Sequence, residues 1–136
     1  MDWILELKGG VPVCVDMTRR IECALASIRC GAACTEEELH AQVARALEES
    51  GLEARHEARL APRCRIDFMV GGVGIEIKKS RPDRTKLLAQ LIRYAACEQV
   101  QALVVAAPRG VNLPREIGGK PVTMVALERL WGISLP

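Results

Sequence analysis

Arg65-Ile66-Asp67-Phe68-Met69-Val70-Gly71-Gly72-Val73-Gly74-Ile75-Glu76-Ile77-Lys78-Lys79 reads as two short strands, Ile66 to Val70 and Val73 to Lys78, joined by a glycine turn. Period-2 alternation puts Val73, Ile75 and Ile77 on one face of the second strand and Glu76 with Lys78 on the other. A hairpin brings its strands to about 4.7–4.9 Å, so Asp67 can lie beside that acid and base. Two carboxylates and a lysine would then converge at one place, which is raw material for a divalent-metal site. Gly71, Gly72 and Gly74 allow the tight turn and leave room for a close backbone approach.

Working outward, the segment before this hairpin predicts a helix over Thr35 to Ser50. Thr35 and Glu38 form a capping box, Gly51 supplies the stop, and Leu39, Val43, Ala46 and Leu47 make the buried stripe. Glu38 is explained by capping. Glu36 lies three and seven residues before Leu39 and Val43, so its phase is inward, and an inward acid on a first turn is a dipole partner or a ligand. Leu52 to Leu60 reads as a strand ended by Pro62, with His56, Ala58 and Leu60 alternating against Arg55, Glu57 and Arg59.

After the hairpin comes a basic segment containing Lys78, Lys79, Arg81, Arg84 and Lys86. Pro82 and Asp83 open a second helix to about Glu98, with Leu87, Leu88, Leu91, Ile92 and Ala95 inward. Lys86, Gln90 and Tyr94 fall at i, i+4 and i+8 as a polar stripe. Val100 to Ala107 is a near-continuous apolar run, as in a strand buried on both faces. Val111 to Gly119 reads as a loop, Lys120 to Leu127 as a strand and Glu128 to Gly132 as a helical turn. From Thr35 the order helix, three strands, helix, strand predicts an α/β sandwich around a mixed sheet.

At the start of the chain, Trp3 to Lys8 and Val11 to Met17 read as strands around Gly9-Gly10, with Pro12 assigning the second to an edge. Thr18 to Cys30 has helical spacing. Residues 1–34 thus read as a hairpin-and-helix extension, suited to packing, self-association or placing a partner, and 35–136 as the core.

A chain of 136 residues fits one domain, and 49% apolar residues with only four aromatics imply an aliphatic core. Net charge +2 does not announce a nucleic-acid partner; only local clustering could. No apolar run approaches the roughly 18 residues that span a membrane, and the Met1-Asp2-Trp3 start is unlike a signal peptide. The expectation is a cytoplasmic protein. Its six cysteines, Cys14, Cys23, Cys30, Cys34, Cys64 and Cys97, include no Cys-x-x-Cys pair and are expected to be reduced and mostly buried; Cys23, Cys30 and Cys34 near one stripe leave zinc as a minor alternative.

Phosphodiester hydrolysis needs an activated water and neutralisation of charge on the phosphate. Mg²⁺ does both with carboxylate and carbonyl ligands. Asp67 and Glu76 suit as ligands, the carbonyl of Ile77 offers another, and Lys78 can orient or deprotonate the water and offset charge. Asp67, eight intervening residues, then Glu76-Ile77-Lys78 resembles the core motif of PD-(D/E)XK nucleases, with Ile66 standing where those proteins often carry proline. Gln90-Leu91-Ile92-Arg93-Tyr94 resembles the Gln-x-x-x-Tyr motif of the RecB-like and phage-exonuclease-like branch. The likeness runs from Thr35 to Ala107.

The resemblance implies a restriction-endonuclease-like core, α-β-β-β-α-β, with a helix acid as a further ligand, Glu36 by phase and Glu37 as fallback. It implies a deoxyribonuclease using Mg²⁺ or Mn²⁺ that leaves 5′-phosphates, with catalytic Asp67, Glu76 and Lys78 and metal ligands Glu36, Asp67, Glu76 and Ile77. Gln90 and Tyr94, together with Lys79, Arg81, Arg84 and Lys86, would meet DNA, and cutting both strands would need a homodimer. Singly, each residue has a plain structural reading as surface acid, solvated strand face or helix-surface hydrogen bond. The competing function is a silent nuclease-fold module that binds DNA or a protein. A kinase reading, suggested by Gly-Gly-Val-Gly before Ile-Glu-Ile-Lys, fails because the chain is too short and has no His-Arg-Asp or Asp-Phe-Gly.

Overall fold

The computed structural model describes residues 7–8, 11–30 and 34–128. Leu7–Lys8 (β1) and Val11–Pro12 (β2) pair antiparallel and lead directly into helix Val13–Leu25 (α1). The helix therefore begins five residues before the spacing at Thr18 suggested, and the second strand is only two residues long. Its β-branched Val13 and Val15 look strand-like locally, but Met17, Ile21, Leu25 and Ile28 recur at helical spacing and are drawn into the core, which overrides propensity. The expected strand from Trp3 and the helical turn to Gly132 lie largely outside the described residues.

Helix Glu36–Glu49 (α2) carries both halves of its capping box. The Thr35 side chain accepts from the Glu38 N–H at 3.0 Å, and the Glu38 carboxylate accepts from the Thr35 N–H at 2.7 Å. The chain leaves through Gly51 at φ 77°, the left-handed region that suits glycine. There follow strands Ala54–Ala61 (β3), Cys64–Val70 (β4) and Val73–Ile77 (β5), helix Arg84–Ala95 (α3), and strands Ala102–Ala107 (β6), Glu116–Ile117 (β7) and Lys120–Ala126 (β8). The short β7 lies within the segment read as a loop; Gly118 and Gly119, both at positive φ, turn it back onto β8.

The sheet runs β3-β4-β5-β6-β8-β7 and is mixed: β5 with β6 and β6 with β8 are parallel, the rest antiparallel. The α/β class and mixed sheet expected from the sequence are therefore present, with the order helix, three strands, helix, strand from α2 to β6. Helices α1 and α2 cover one face, burying Leu25, Leu39, Val43 and Leu47 against Phe68, Val70, Ile75 and Val104. Helix α3 covers the other with Leu87, Leu91 and Tyr94 against Ile66, Met69, Leu103 and Val105. Every residue of β6 is buried, as its unbroken apolar run requires. Full burial of such side chains contributes about 1.5–3 kcal/mol each.

Ile92, expected inward, is instead 57% exposed. Leu87, Leu91, Tyr94 and Ala95 already fill the face that α3 turns to the sheet, and Ile92 falls a quarter-turn beyond it. The cysteines also depart from expectation. Cys30 and Cys34 form a disulfide with Cα atoms 5.4 Å apart, in the segment between α1 and α2; Cys23 is exposed, and Cys64 and Cys97 are half-buried. No described helix is long and apolar enough to cross a membrane.

Candidate functional site

The β3–β4 pairing is irregular at two places, a register shift between Arg59 and Ala61 and a break at Glu57. Pairing of β3 with β4 runs through His56–Phe68 and resumes in the same register at Ala58–Ile66, leaving out Glu57 opposite Asp67. Glu57 sits at φ 56°, a backbone conformation uncommon for a residue other than glycine. Across the break the faces exchange: Phe68 packs toward α1 and α2, while Ala58 and Ile66 pack toward α3. The expected alternation that put His56 with Ala58 and Leu60 on one face therefore fails at Glu57, and His56 stacks on Phe68 with ring centroids 4.6 Å apart.

Asp67 is the residue turned out at this break. The β4–β5 ladder also stops there, its last pair being Phe68–Ile75. In its place, the N–H of Ile77 donates to Asp67 Oδ2 at 2.7 Å. In a strand the N–H and C=O of one residue point to the same neighbour, so the Ile77 carbonyl is directed to the Asp67 side as well. The two carboxylate strands thus part where a ligand group can approach between them.

Glu76 and His40 are the two buried polar or charged residues among the described ones, and both border Asp67. Glu76 is 5% exposed; Lys78 Nζ lies 3.1 Å from its Oε2, and the Tyr94 hydroxyl is 2.9 Å from its Oε1. That hydroxyl is also 3.0 Å from the carbonyl of Arg65 and accepts from Gln90 Nε2 at 2.9 Å. Gln90 and Tyr94, one helical turn apart, thereby fasten α3 to both carboxylate strands.

His40 is on the opposite side of Asp67. Its Nε2 lies 3.8 Å from Asp67 Oδ2 and 4.0 Å from Glu36 Oε2, and that buried nitrogen has no hydrogen-bond partner. Its Nδ1 is 3.1 Å from Nε2 of His56, which in turn is 3.7 Å from Glu57 Oε2. One donor atom each from His40, His56 and Glu57 falls within 4.8 Å of the others, and among the described residues this is the group of three such side chains close enough together to hold a cation.

Burial pushes the Asp67 carboxyl above its ordinary value, against the opposing pull of the Ile77 N–H, His40 and Lys78. Burial likewise raises Glu76, with the Asp67 charge adding to it and Lys78 and Tyr94 opposing. The Tyr94 phenol is pushed far up by burial and by Glu76, so it serves as a neutral donor. Acids that resist ionising in isolation, beside an unsatisfied imidazole nitrogen, are suited to a cation that neutralises them together.

The other expected site residues lie as follows. Glu36 is not inward: at the first residue of α2 its side chain is 72% exposed, although it remains one turn from His40. Glu37 is exposed as well. Lys79 and Arg81 are exposed and line a cavity of about 430 Å³ with Arg109 and Leu39. Arg84 is occupied in a fold contact, its Nε donating to the Asn112 carbonyl at 2.6 Å. Lys86 is exposed and is not among the residues lining the Lys79–Arg81 cavity.

The sequence reading missed His40 and His56. The signal for His40 was present, since His40, Val43 and Leu47 stand at i, i+3 and i+7 on the buried face of α2, but a stripe defined by apolar residues passes over a histidine. His56 had no comparable signal, because its direction depends on the break at Glu57. Comparison with protein-family models, with curated proteins and with solved structures returns no match.

Proposed function

We propose that this chain is a divalent-metal-dependent nuclease of the PD-(D/E)XK type, with a restriction-endonuclease-like core formed by α2, β3, β4, β5, α3 and β6. The observation that carries the reading is the convergence of Asp67, Glu76 and Lys78 where β4 and β5 part, with both carboxyls raised by burial. The residues fit a bound cation on two counts: the donor set is rich in carboxylates, and His40 Nε2 is a buried donor with nothing to bind. Asp67, Glu76, the carbonyl of Ile77 and His40 would hold Mg²⁺ or Mn²⁺, with Glu36 reaching in from the rim. When bound, such an ion neutralises phosphate charge and lowers the pKa of a coordinated water.

Each residue then has a defined task. Asp67 is fixed by the Ile77 N–H, so its orientation precedes any ligand. Glu76 is held between Tyr94 and Lys78 and presents a carboxylate whose angle α3 controls. Lys78 lies 3.1 Å from Glu76 Oε2 and also lowers the Asp67 carboxyl; it orients the attacking water and offsets charge accumulating on the phosphate. Lys79 and Arg81, exposed around the adjoining cavity, meet backbone phosphates of DNA. Phosphate contacts carry no sequence information directly, which favours structure-directed or weakly sequence-specific cutting.

The test is incubation of the purified protein with labelled linear, circular, branched and single-stranded DNA in Mg²⁺ or Mn²⁺, with a chelator control. Cleavage that requires the metal and leaves 5′-phosphates supports the reading. Binding without cleavage of any of these DNAs in either metal would overturn it in favour of a silent binding module.

A further inference from the structure

A second polar groove of about 470 Å³ lies against the face of Tyr94 and Gln90, and Arg59, Arg63, Arg65 and Arg93 line it. Among the described residues, no acidic one lines it. Of these four arginines only Arg65 has a carboxylate partner among the described residues, Glu57 at 3.6 Å, so the other three guanidinium groups line this concavity without a paired carboxylate. Four like charges gathered in one hollow repel one another, and an anion seated among them would offset that repulsion. Arg63 sharpens the point. It stands at φ 61° in the turn between β3 and β4, where glycine or asparagine is the inexpensive choice. Guanidinium groups are planar and pair with phosphate oxygens through two parallel hydrogen bonds.

We propose that this groove is a phosphate-anchoring subsite, holding a phosphate of the nucleic-acid strand other than the one being cleaved, with Arg63 and Arg93 as its principal contacts. The strand's identity rests on the nuclease reading above; the phosphate chemistry rests on the groove itself. The coupling to the site is direct, because Tyr94 lines the groove and its hydroxyl lies 2.9 Å from Glu76 and 3.0 Å from the Arg65 carbonyl. A strand seated on the arginines therefore lies against the residue that orients Glu76. The phosphate is either an internal diester or a terminal monoester, and both offer the same oxygens.

The experiment measures fluorescence-anisotropy binding of a labelled single-stranded oligonucleotide in chelator across a range of salt, for the parent and the Arg63→Gly, Arg93→Gln double variant. Glycine at 63 relieves the positive φ, so this variant is expected to melt no lower than an Arg93→Gln single variant. The double variant should bind at least tenfold more weakly, and its plot of log affinity against log salt should be shallower by about 0.7 per arginine removed. Loss of affinity for a circular oligonucleotide identifies an internal diester. Loss confined to a 5′-phosphorylated linear strand, relative to a 5′-hydroxyl one, identifies a terminal monoester. Unchanged affinity and slope would overturn the subsite, and if the parent still cleaves DNA with metal the nuclease reading survives that failure. A shallower slope in a protein that never cleaves supports the groove and removes the nuclease reading instead.

Discussion

At the scale of single residues, burial holds the Asp67 and Glu76 carboxyls above their ordinary values, and His40 Nε2 is a buried nitrogen without a hydrogen-bond partner. Glu76 is raised above its ordinary value of 4.5 in the folded chain, so between the two values the native state holds a proton the unfolded state has released. Its contribution to stability is therefore greatest below 4.5 and is lost as pH rises through the raised value, and Asp67 acts in the same direction. In chelator, the melting temperature should fall with rising pH over that interval, and Glu76→Gln should flatten the profile. An unchanged pH slope in that variant would count against the buried-acid description.

His40 gives a second test at this scale, since an imidazole ligand suits softer ions than Mg²⁺. Mn²⁺ should raise the melting temperature more than Mg²⁺ at equal concentration, and His40→Ala should remove most of that difference. A site at one hundred times its dissociation constant stabilises by about 2.7 kcal/mol, which makes the shift measurable. Asp67, Glu76 and Lys78 were legible in the sequence because their spacing survives translation into strands. His40 was passed over although it is in phase with Val43 and Leu47, because the buried stripe was counted on apolar residues alone.

At the scale of elements, α2 and β5 position the site. Removing the cap in Thr35→Ala takes away the hydroxyl that accepts the Glu38 N–H and should cost about 1 kcal/mol in urea unfolding. Gly74 is needed for close packing of β5: a Cβ there would meet Ile66 Cδ1 at 2.6 Å, Leu103 Cδ2 at 3.2 Å and Met69 Sδ at 3.3 Å. Ile66 is fully buried, so its Cδ1 can make room only by repacking against filled space, and Gly74→Ala should destabilise by about 1–3 kcal/mol. A neutral outcome by urea unfolding would mean that β4 and β5 adjust more freely than this packing allows.

Elements with both a start and a stop signal were read closely; α2, with its capping box and Gly51, differs from expectation by a residue at each end. The start of α1 was misplaced because Val13-Cys14-Val15 has strand propensity, and only tertiary burial of Met17, Ile21 and Leu25 reveals the helix. The inversion at Glu57 was invisible, since positive φ at a glutamate has no sequence signature.

At the scale of the whole molecule, two helices on one face and one on the other hold a six-stranded sheet whose β4–β5 pairing stops short of Asp67. The α/β layering was legible because amphipathic helices and an all-apolar β6 leave few other arrangements. The arginine groove was not, because Arg59, Arg63, Arg65 and Arg93 come from two strands, their turn and a helix, and meet only in the folded chain.

The proposed chemistry is tested most directly by single-turnover DNA cleavage with Lys78→Ala in saturating Mn²⁺, alongside the metal-induced thermal shift of the same variant. Lys78 is 30% exposed, so its removal should leave the protein folded and still stabilised by metal, while cleavage falls by about 10²–10³-fold. A Lys78→Ala protein that binds metal and cuts DNA as fast as the parent would contradict the assignment of this site.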